Sequence, residues 1–304
     1  MNQIGVLPWA KIIFFLFGMV GVMSSSNAEE KMKTNYIVSF NTNDALCFIK
    51  INDMLVIDNV GMTDNSFTTG KTISSYLQNG KNTLSVTMLN NSLTDSDKLT
   101  SNMWCSATVK KTIDDKPSFG IKLIVDTNGE IKINPDFYPS KIEFFGDSPR
   151  SNNAEKNMIE ATKSFVAKDL PEWNWTKGQP VSNADIPQIK NFYESLQNSF
   201  KNQNLDEIYK KTEGMWGSLA IEQGSTPQKM WESMPFKRFF NEGYKSVPIN
   251  WDGFKLNSYM DGRIFRFEKG YGRASPLKIE NSNGDFFITT PYLSIIDGKV
   301  TVVK

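Results

Sequence analysis

Tyr76-Leu77-Gln78-Asn79-Gly80-Lys81-Asn82-Thr83-Leu84-Ser85-Val86-Thr87-Met88 decides the reading of the N-terminal half. Asn-Gly accepts positive φ at low cost and marks a turn. Beyond it Leu84, Val86 and Met88 alternate with Ser85 and Thr87, the period of a strand with one buried face. The same grammar continues on both sides. Upstream lie Tyr36-Ile37-Val38-Ser39-Phe40, Cys47-Phe48-Ile49-Lys50-Ile51, the turn Asn52-Asp53 and Met54-Leu55-Val56-Ile57. Downstream come Cys105-Ser106-Ala107-Thr108-Val109, Ile121-Lys122-Leu123-Ile124-Val125 and a return through Asn128-Gly129 into Glu130-Ile131-Lys132-Ile133. Seven or eight short strands without a helical period predict an antiparallel β-sandwich, jelly-roll-like, over residues 29–150.

The segment Lys50-Ile51-Asn52-Asp53-Met54-Leu55-Val56, followed by Tyr76 to Val86, resembles the galactose-binding-like jelly roll. Leu77, Gly80, Asn82, Leu84 and Val86 fill its leucine, turn-glycine, asparagine and alternating-strand pattern, while Asp53 replaces the usual first glycine. The resemblance implies a fold and not sugar binding, since a scaffold of this kind serves many functions.

The N-terminus carries a segment with a different role. Lys11 precedes the apolar run Ile12 to Met23, and Ser26-Asn27-Ala28 supplies small residues for cleavage. The run is shorter than the roughly 20 residues that span a bilayer, so residues 1–28 read as a signal peptide. The expectation is a periplasmic or secreted protein with no membrane anchor after signal removal. Cys47 and Cys105 are its 2 cysteines, and an oxidising compartment favours their pairing. A loop of that length stabilises by roughly 4 kcal/mol in the chain-entropy description.

Polar, proline-containing Asp147-Ser148-Pro149-Arg150-Ser151-Asn152-Asn153 reads as a linker into a second domain, residues 151–304. Residues 154–168, with Met158, Ile159, Phe165 and Val166, suggest a first helix. The next stretch, holding Trp173 and Trp175, is irregular. A second helix begins near Asp185-Ile186-Pro187 and carries Ile189, Phe192, Leu196 and Phe200 at helical spacing. Asn204 caps a third, and Thr226-Pro227 opens a fourth. After Trp251 the period returns to two, punctuated by Asp261-Gly262, Asn283-Gly284 and Asp297-Gly298. The whole is thus predicted as an α+β two-domain chain: the sandwich, then helices packed on a curved antiparallel sheet. The order of helices then sheet, with Phe192 to Asp206 as an opening helix and its turn, resembles the NTF2-like (cystatin-like) roll. That resemblance implies a conical pocket.

Composition narrows the chemistry. With 34 Lys plus Arg against 33 Asp plus Glu the chain is near neutral, which disfavours nonspecific nucleic-acid binding. Its His count of 0 removes imidazole acid–base catalysis, the Ser-His-Asp triad and His-ligated zinc. No catalytic residue, metal site or cofactor is assigned. Asp95-Ser96-Asp97 lacks the glycine and terminal glutamate of a calcium loop and reads as a polar loop. Two places invite binding. Trp173 and Trp175 lie in a Pro/Gly-bounded loop where they could stack on sugars or anchor a protein partner, or where the loop folds over the domain joint with both rings buried. Arg266 and Glu268 share one face of a strand opposite Phe265 and Phe267, directed to solvent or to a polar cavity, with Tyr271 and Arg273 following. The expectation is an exported, noncatalytic binding protein of the envelope or periplasm, possible as an immunity-like protein that occludes a protein partner. The alternatives are a small-ligand or carbohydrate binder using the aromatic pocket, and a carboxylate-dependent enzyme acting on polysaccharide.

Overall fold

A computed structural model describes residues 35–62, 64–90, 99–114, 117, 119–137, 158–270 and 273–304. The signal segment, Asp95-Ser96-Asp97, the linker after Asp147 and Tyr271 lie outside them.

Nine strands come first: β1 (Tyr36–Asn43), β2 (Ala45–Ile51), β3 (Met54–Asp58), β4 (Ser66–Thr72), β5 (Gly80–Asn90), β6 (Trp104–Lys111), β7 (Phe119–Val125), β8 (Ile131–Ile133) and β9 (Met158–Ala167). They form two antiparallel sheets in a sandwich-like arrangement, β4-β1-β6-β7-β8 and β3-β2-β5-β9. Alternation selects the buried face. Val38 and Phe40 of β1 are fully buried, as are Ile49 of β2 and Leu84, Val86 and Met88 of β5. Cys47 and Cys105 are disulfide-bonded with Cα atoms 6.1 Å apart, joining β2 of one sheet to β6 of the other.

The turn chemistry falls where the sequence puts it. Asn52 and Asp53 take φ of 50° and 63° between β2 and β3. Gly80, at φ 102°, opens β5. Asn82 is buried beside it and is saturated: its Oδ1 accepts from Gln78 N at 3.0 Å and Asn52 Nδ2 at 2.9 Å, and its Nδ2 donates to Gln78 O and Gly80 O. A buried amide so fully partnered fixes the turn because each lost partner would cost a desolvated polar group.

The helix expected over 154–168 is not there. Its described part is β9, paired with β5 from Gly80↔Ala167 to Leu89↔Met158. Ala161, Lys163, Phe165 and Ala167 turn inward, whereas Val166 is 62% exposed. The strand's large aliphatics therefore sit on the wrong side for an alternation rule to detect, and cross-strand pairing overrides local spacing.

After Leu170 the chain runs through a short 3-10 turn at Asn174–Lys177, then into α1 (Ile186–Lys201), α2 (Leu205–Gln223), α3 (Pro227–Glu232) and α4 (Phe236–Asn241). Asn204 accepts from Glu207 N at 3.1 Å and caps α2, and Thr226 accepts from Lys229 N with Pro227 at the start of α3. Seven short strands follow: β10 (Lys245–Ser246), β11 (Lys255–Tyr259), β12 (Ile264–Glu268), β13 (Leu277–Glu280), β14 (Phe286–Thr289), β15 (Leu293–Ile296) and β16 (Lys299–Val302). They make two antiparallel sheets, β10-β13-β14 and β11-β12-β15-β16. The α+β class is therefore as expected. Gly214 lets α2 lie on β16, since a Cβ there would stand 2.6 Å from Val302 O.

The two halves share apolar packing. Trp173, Trp175, Tyr259, Ile264, Tyr292 and Val303 belong to the same buried cluster as the sandwich interior. A second cluster, around Tyr193, Leu196, Phe200, Ile208 and Phe265, lies between α1, α2 and the C-terminal strands.

Candidate functional site

The tryptophan pair is not a surface feature. Trp173 and Trp175 are 1% and 0% exposed, and Trp175 Nε1 donates to Ser75 O at 3.0 Å across the joint. The Arg263 guanidinium lies 5.5 Å from the Trp175 ring centroid. Gln179 N donates to Ile295 O, which ties the segment to β15. Of the two readings of this pair, binding anchors or rings buried at the domain joint, the packing is that of the second: they seal the sandwich against the C-terminal half.

Arg266 and Glu268 behave differently. All five residues of β12 are buried, and Arg266 and Glu268 are each only 3% exposed. Of the two directions open to their face, the structure takes the polar interior. Arg266 Nε meets Glu268 Oε1 at 2.5 Å, and its Nη1 donates to Thr290 O. Glu268 Oε2 accepts from Asn257 Nδ2 at 2.7 Å and faces Arg273 Nε at 3.7 Å. Arg273 reaches the sandwich, donating from Nη1 to Asp53 O and to Tyr259 OH. Burial works against the charge of Arg266, but Tyr292 and Glu268 outweigh it and hold the guanidinium above its ordinary pKa.

An aromatic ladder runs beside these charges. Tyr76 meets Tyr292 edge-on at 6.3 Å, and Tyr292 meets Tyr259 at 5.7 Å. Arg266 sits 4.1 Å above the Tyr292 ring, and Lys304 Nζ and Lys71 Nζ sit 3.6 and 5.5 Å from the Tyr76 centroid. Cations over ring faces are held electrostatically by the ring quadrupole. Lys304 also donates to Ser75 Oγ, and Lys71 to Val56 O at 3.2 Å. Burial lowers the Lys304 ammonium to about 8 against the pull of Glu222, and desolvation beside the cavity lowers that of Lys71 in the same direction although its side chain is exposed on β4. Glu222, at the end of α2 and 2% exposed, accepts from Ser75 N at 2.5 Å.

These groups surround a cavity of about 460 Å³ between the halves. β3, β4 and Tyr76 wall it from the sandwich; α1, α2, α4, β12, β14 and Lys304 wall it from the other side. One part is apolar, lined by Leu196, Phe200, Ile208, Met215, Trp216 and Phe236. The other is charged, with Lys71, Arg266, Arg273 and Lys304 facing Asp58 and Glu222. Its volume is in the range of small-molecule sites, which combine an apolar lining with a few convergent polar groups. Glu268 is one step behind Arg266 and does not line the cavity.

Of the site residues read from sequence, the structure thus brings Arg266 to a cavity with Glu268 paired behind it, and buries Trp173 and Trp175 at the joint. Lys71, Tyr76, Glu222, Tyr292 and Lys304 were missed. Lys71 and Glu222 had no sequence signal because they are single charges on a strand and a helix that solvent would ordinarily claim. Tyr292 and Lys304 meet only through chain closure, where Tyr292 N donates to Lys304 O at 2.7 Å. Comparison with protein-family models, curated proteins and solved structures finds no match for the chain.

Proposed function

We propose that this protein is an exported, noncatalytic binding protein of the periplasm or extracellular space that holds a small ligand between its two halves. The observation that carries this reading is the cavity of about 460 Å³, apolar along α1 and α2 and cationic beside Tyr76. Export rests on the N-terminal sequence, with the disulfide in keeping. The noncatalytic reading rests on the chain's lack of histidine and of a nucleophile motif. Its two halves are read as a galactose-binding-like jelly roll and an NTF2-like roll, the latter contributing the cone of the cavity. The immunity-like role rests on analogy and on no residue, so the cavity makes the small ligand the better-supported reading.

Native mass spectrometry of the protein purified from its producing cell tests this. The protein should carry added mass that a Met215→Trp variant, which fills the apolar end, does not. Wild-type protein without added mass, whose melting temperature no small molecule shifts more than that of the variant, would refute the cavity as a ligand site.

A further inference from the structure

The cationic side chains on the cavity wall are unequally paired. Lys71, Arg266, Arg273 and Lys304 face Asp58 and Glu222. Glu268, behind the wall, is committed to Arg266 and Arg273. Counting it, four cationic side chains stand against three carboxylate side chains. The excess is localised. Among the described residues Arg266 and Arg273 are in ion pairs, whereas Lys71 and Lys304 are not. Both ammonium groups lie over the same Tyr76 ring. Lys304 is half-buried with only a hydroxyl as its side-chain hydrogen-bond partner, and Lys71 is exposed at the cavity rim with only a carbonyl, so an incoming anion meets two ammonium groups that no carboxylate pairs. A few residues away the wall becomes apolar, with Leu196, Phe200, Ile208 and Trp216.

We propose that the ligand is a small amphiphile with an anionic head, held between Lys71 and Lys304 over the Tyr76 ring, and an apolar tail along α1 and α2. This rests on the cavity being a ligand site. The head pairs with the two ammonium groups that have no carboxylate of their own, and the tail removes apolar wall and apolar ligand from water together. A neutral amphiphile would leave the lysines as they are, and a cationic one would add a third ammonium beside them. Arg266 and Arg273 then serve to hold the Tyr292 and Tyr259 rings in place behind the head group.

Isothermal titration calorimetry at pH 7 with dodecanoate, dodecanol, dodecylamine, decanoate and acetate reads head and tail separately. Dodecanoate should bind at least tenfold tighter than dodecanol, and dodecylamine weakest of the three. Each methylene removed between dodecanoate and decanoate should weaken binding about fourfold. Lys71→Met with Lys304→Met should bring dodecanoate down to the dodecanol level and leave dodecanol unchanged. If that variant does not fold, the head-group series on the wild type decides alone. Dodecanol equal to dodecanoate, or dodecylamine tighter, would overturn the anionic head, and acetate as tight as dodecanoate would overturn the tail. No binding by any probe while purified protein carries a ligand that Met215→Trp lacks would overturn the amphiphile yet leave the cavity as a binding site. Dodecanoate bound undiminished by Met215→Trp would move the amphiphile out of the cavity and overturn the placement.

Discussion

The sandwich and the C-terminal half solve the same packing problem and end with different interiors. Between its two sheets the sandwich faces apolar side chain with apolar side chain, from Val38 and Phe40 to Ile49, Leu84 and Val86, and a disulfide crosses the space. Sheets stack about 10 Å apart, a gap that such side chains close. In the C-terminal half the second layer is helical. α1 and α2 cover β12 and β16 closely, at Gly214 almost in backbone contact, but leave space toward the sandwich. That space is finished by residues of the other half, Leu55, Val56, Lys71 and Tyr76 among them. The difference teaches that the filled interior supplies rigidity and the unfilled one supplies a site. The joint between them should therefore be as costly to break as either core.

The sharpest way to break this comparison is at the joint. Replacing both Trp173 and Trp175 by Ala removes two fully buried indoles and leaves Ser75 O without its donor. Each such truncation costs about 3–5 kcal/mol. Urea unfolding should show the combined loss as the largest of any substitution discussed, with little folded protein remaining at 37 °C. A loss under about 1 kcal/mol would mean that the halves are held together elsewhere.

Next in size is the disulfide. Replacing Cys47 and Cys105 by Ala should lower stability by roughly 4 kcal/mol, the chain-entropy value for a closed loop of this length. Mass measurement after alkylation, with and without reductant, checks the bond itself: unreduced protein should take up no label.

The third effect separates a buried ion pair from simple packing. Glu268→Gln leaves Arg266 buried without its carboxylate, and breaking such a pair costs about 3–5 kcal/mol, here at the low end because Thr290 O still accepts from the guanidinium. Replacing Arg266 and Glu268 together by Met should cost less than Glu268→Gln alone. Equal or greater cost for the double variant would show that the pair contributes through more than its own charge balance.

How much of this was legible beforehand follows the same division. Strands β1 to β3 and β5 to β8 could be read because their apolar residues alternate, whereas β4 could not, with Phe67 its one apolar side chain; the turns were legible because Asn-Asp and Asn-Gly fit left-handed backbone. The caps of α2 and α3 were read from Asn204 and Thr226 for an equally local reason. β9 was misread because Ala161 and Lys163 occupy its inward face while Val166 points out. At the site, Arg266 and Glu268 were legible as polar residues two apart on an otherwise apolar strand. Burial of Trp173 and Trp175 at the joint was one of two readings, because a loop between prolines gives no period from which to choose between them. Lys71, Glu222 and Lys304 come from three distant parts of the chain, and only the closure of the two halves makes them neighbours.

The smallest effect is the most specific to the cavity. In the unfolded chain the Lys304 ammonium titrates at its ordinary 10.5, and in the folded protein burial brings it to about 8. Glu222 from α2 opposes that shift, Lys71 from β4 adds to it, and Tyr76 and Ser75 face the same group, with Arg266 and Tyr292 beyond. Below pH 8 both states are protonated and the full cost of burying the charge stands. Between about 8 and 10.5 the unfolded state binds more protons, so stability must rise with pH. Lys71, also lowered, acts in the same direction. The tyrosines act in the other. Burial raises the hydroxyls of Tyr76, Tyr193, Tyr259 and Tyr292 above their ordinary 10.0, so their contribution is complete below that pH and is lost above it as the unfolded chain ionises first. Urea midpoints taken from pH 7 to 11 should therefore be flat to pH 8, climb by about 1 kcal/mol toward pH 10, and then fall. Lys304→Met should abolish most of the climb and leave the fall, because the tyrosines remain. A steady decline from pH 7 in the wild type would place that ammonium in water, and with it the cationic end of the cavity.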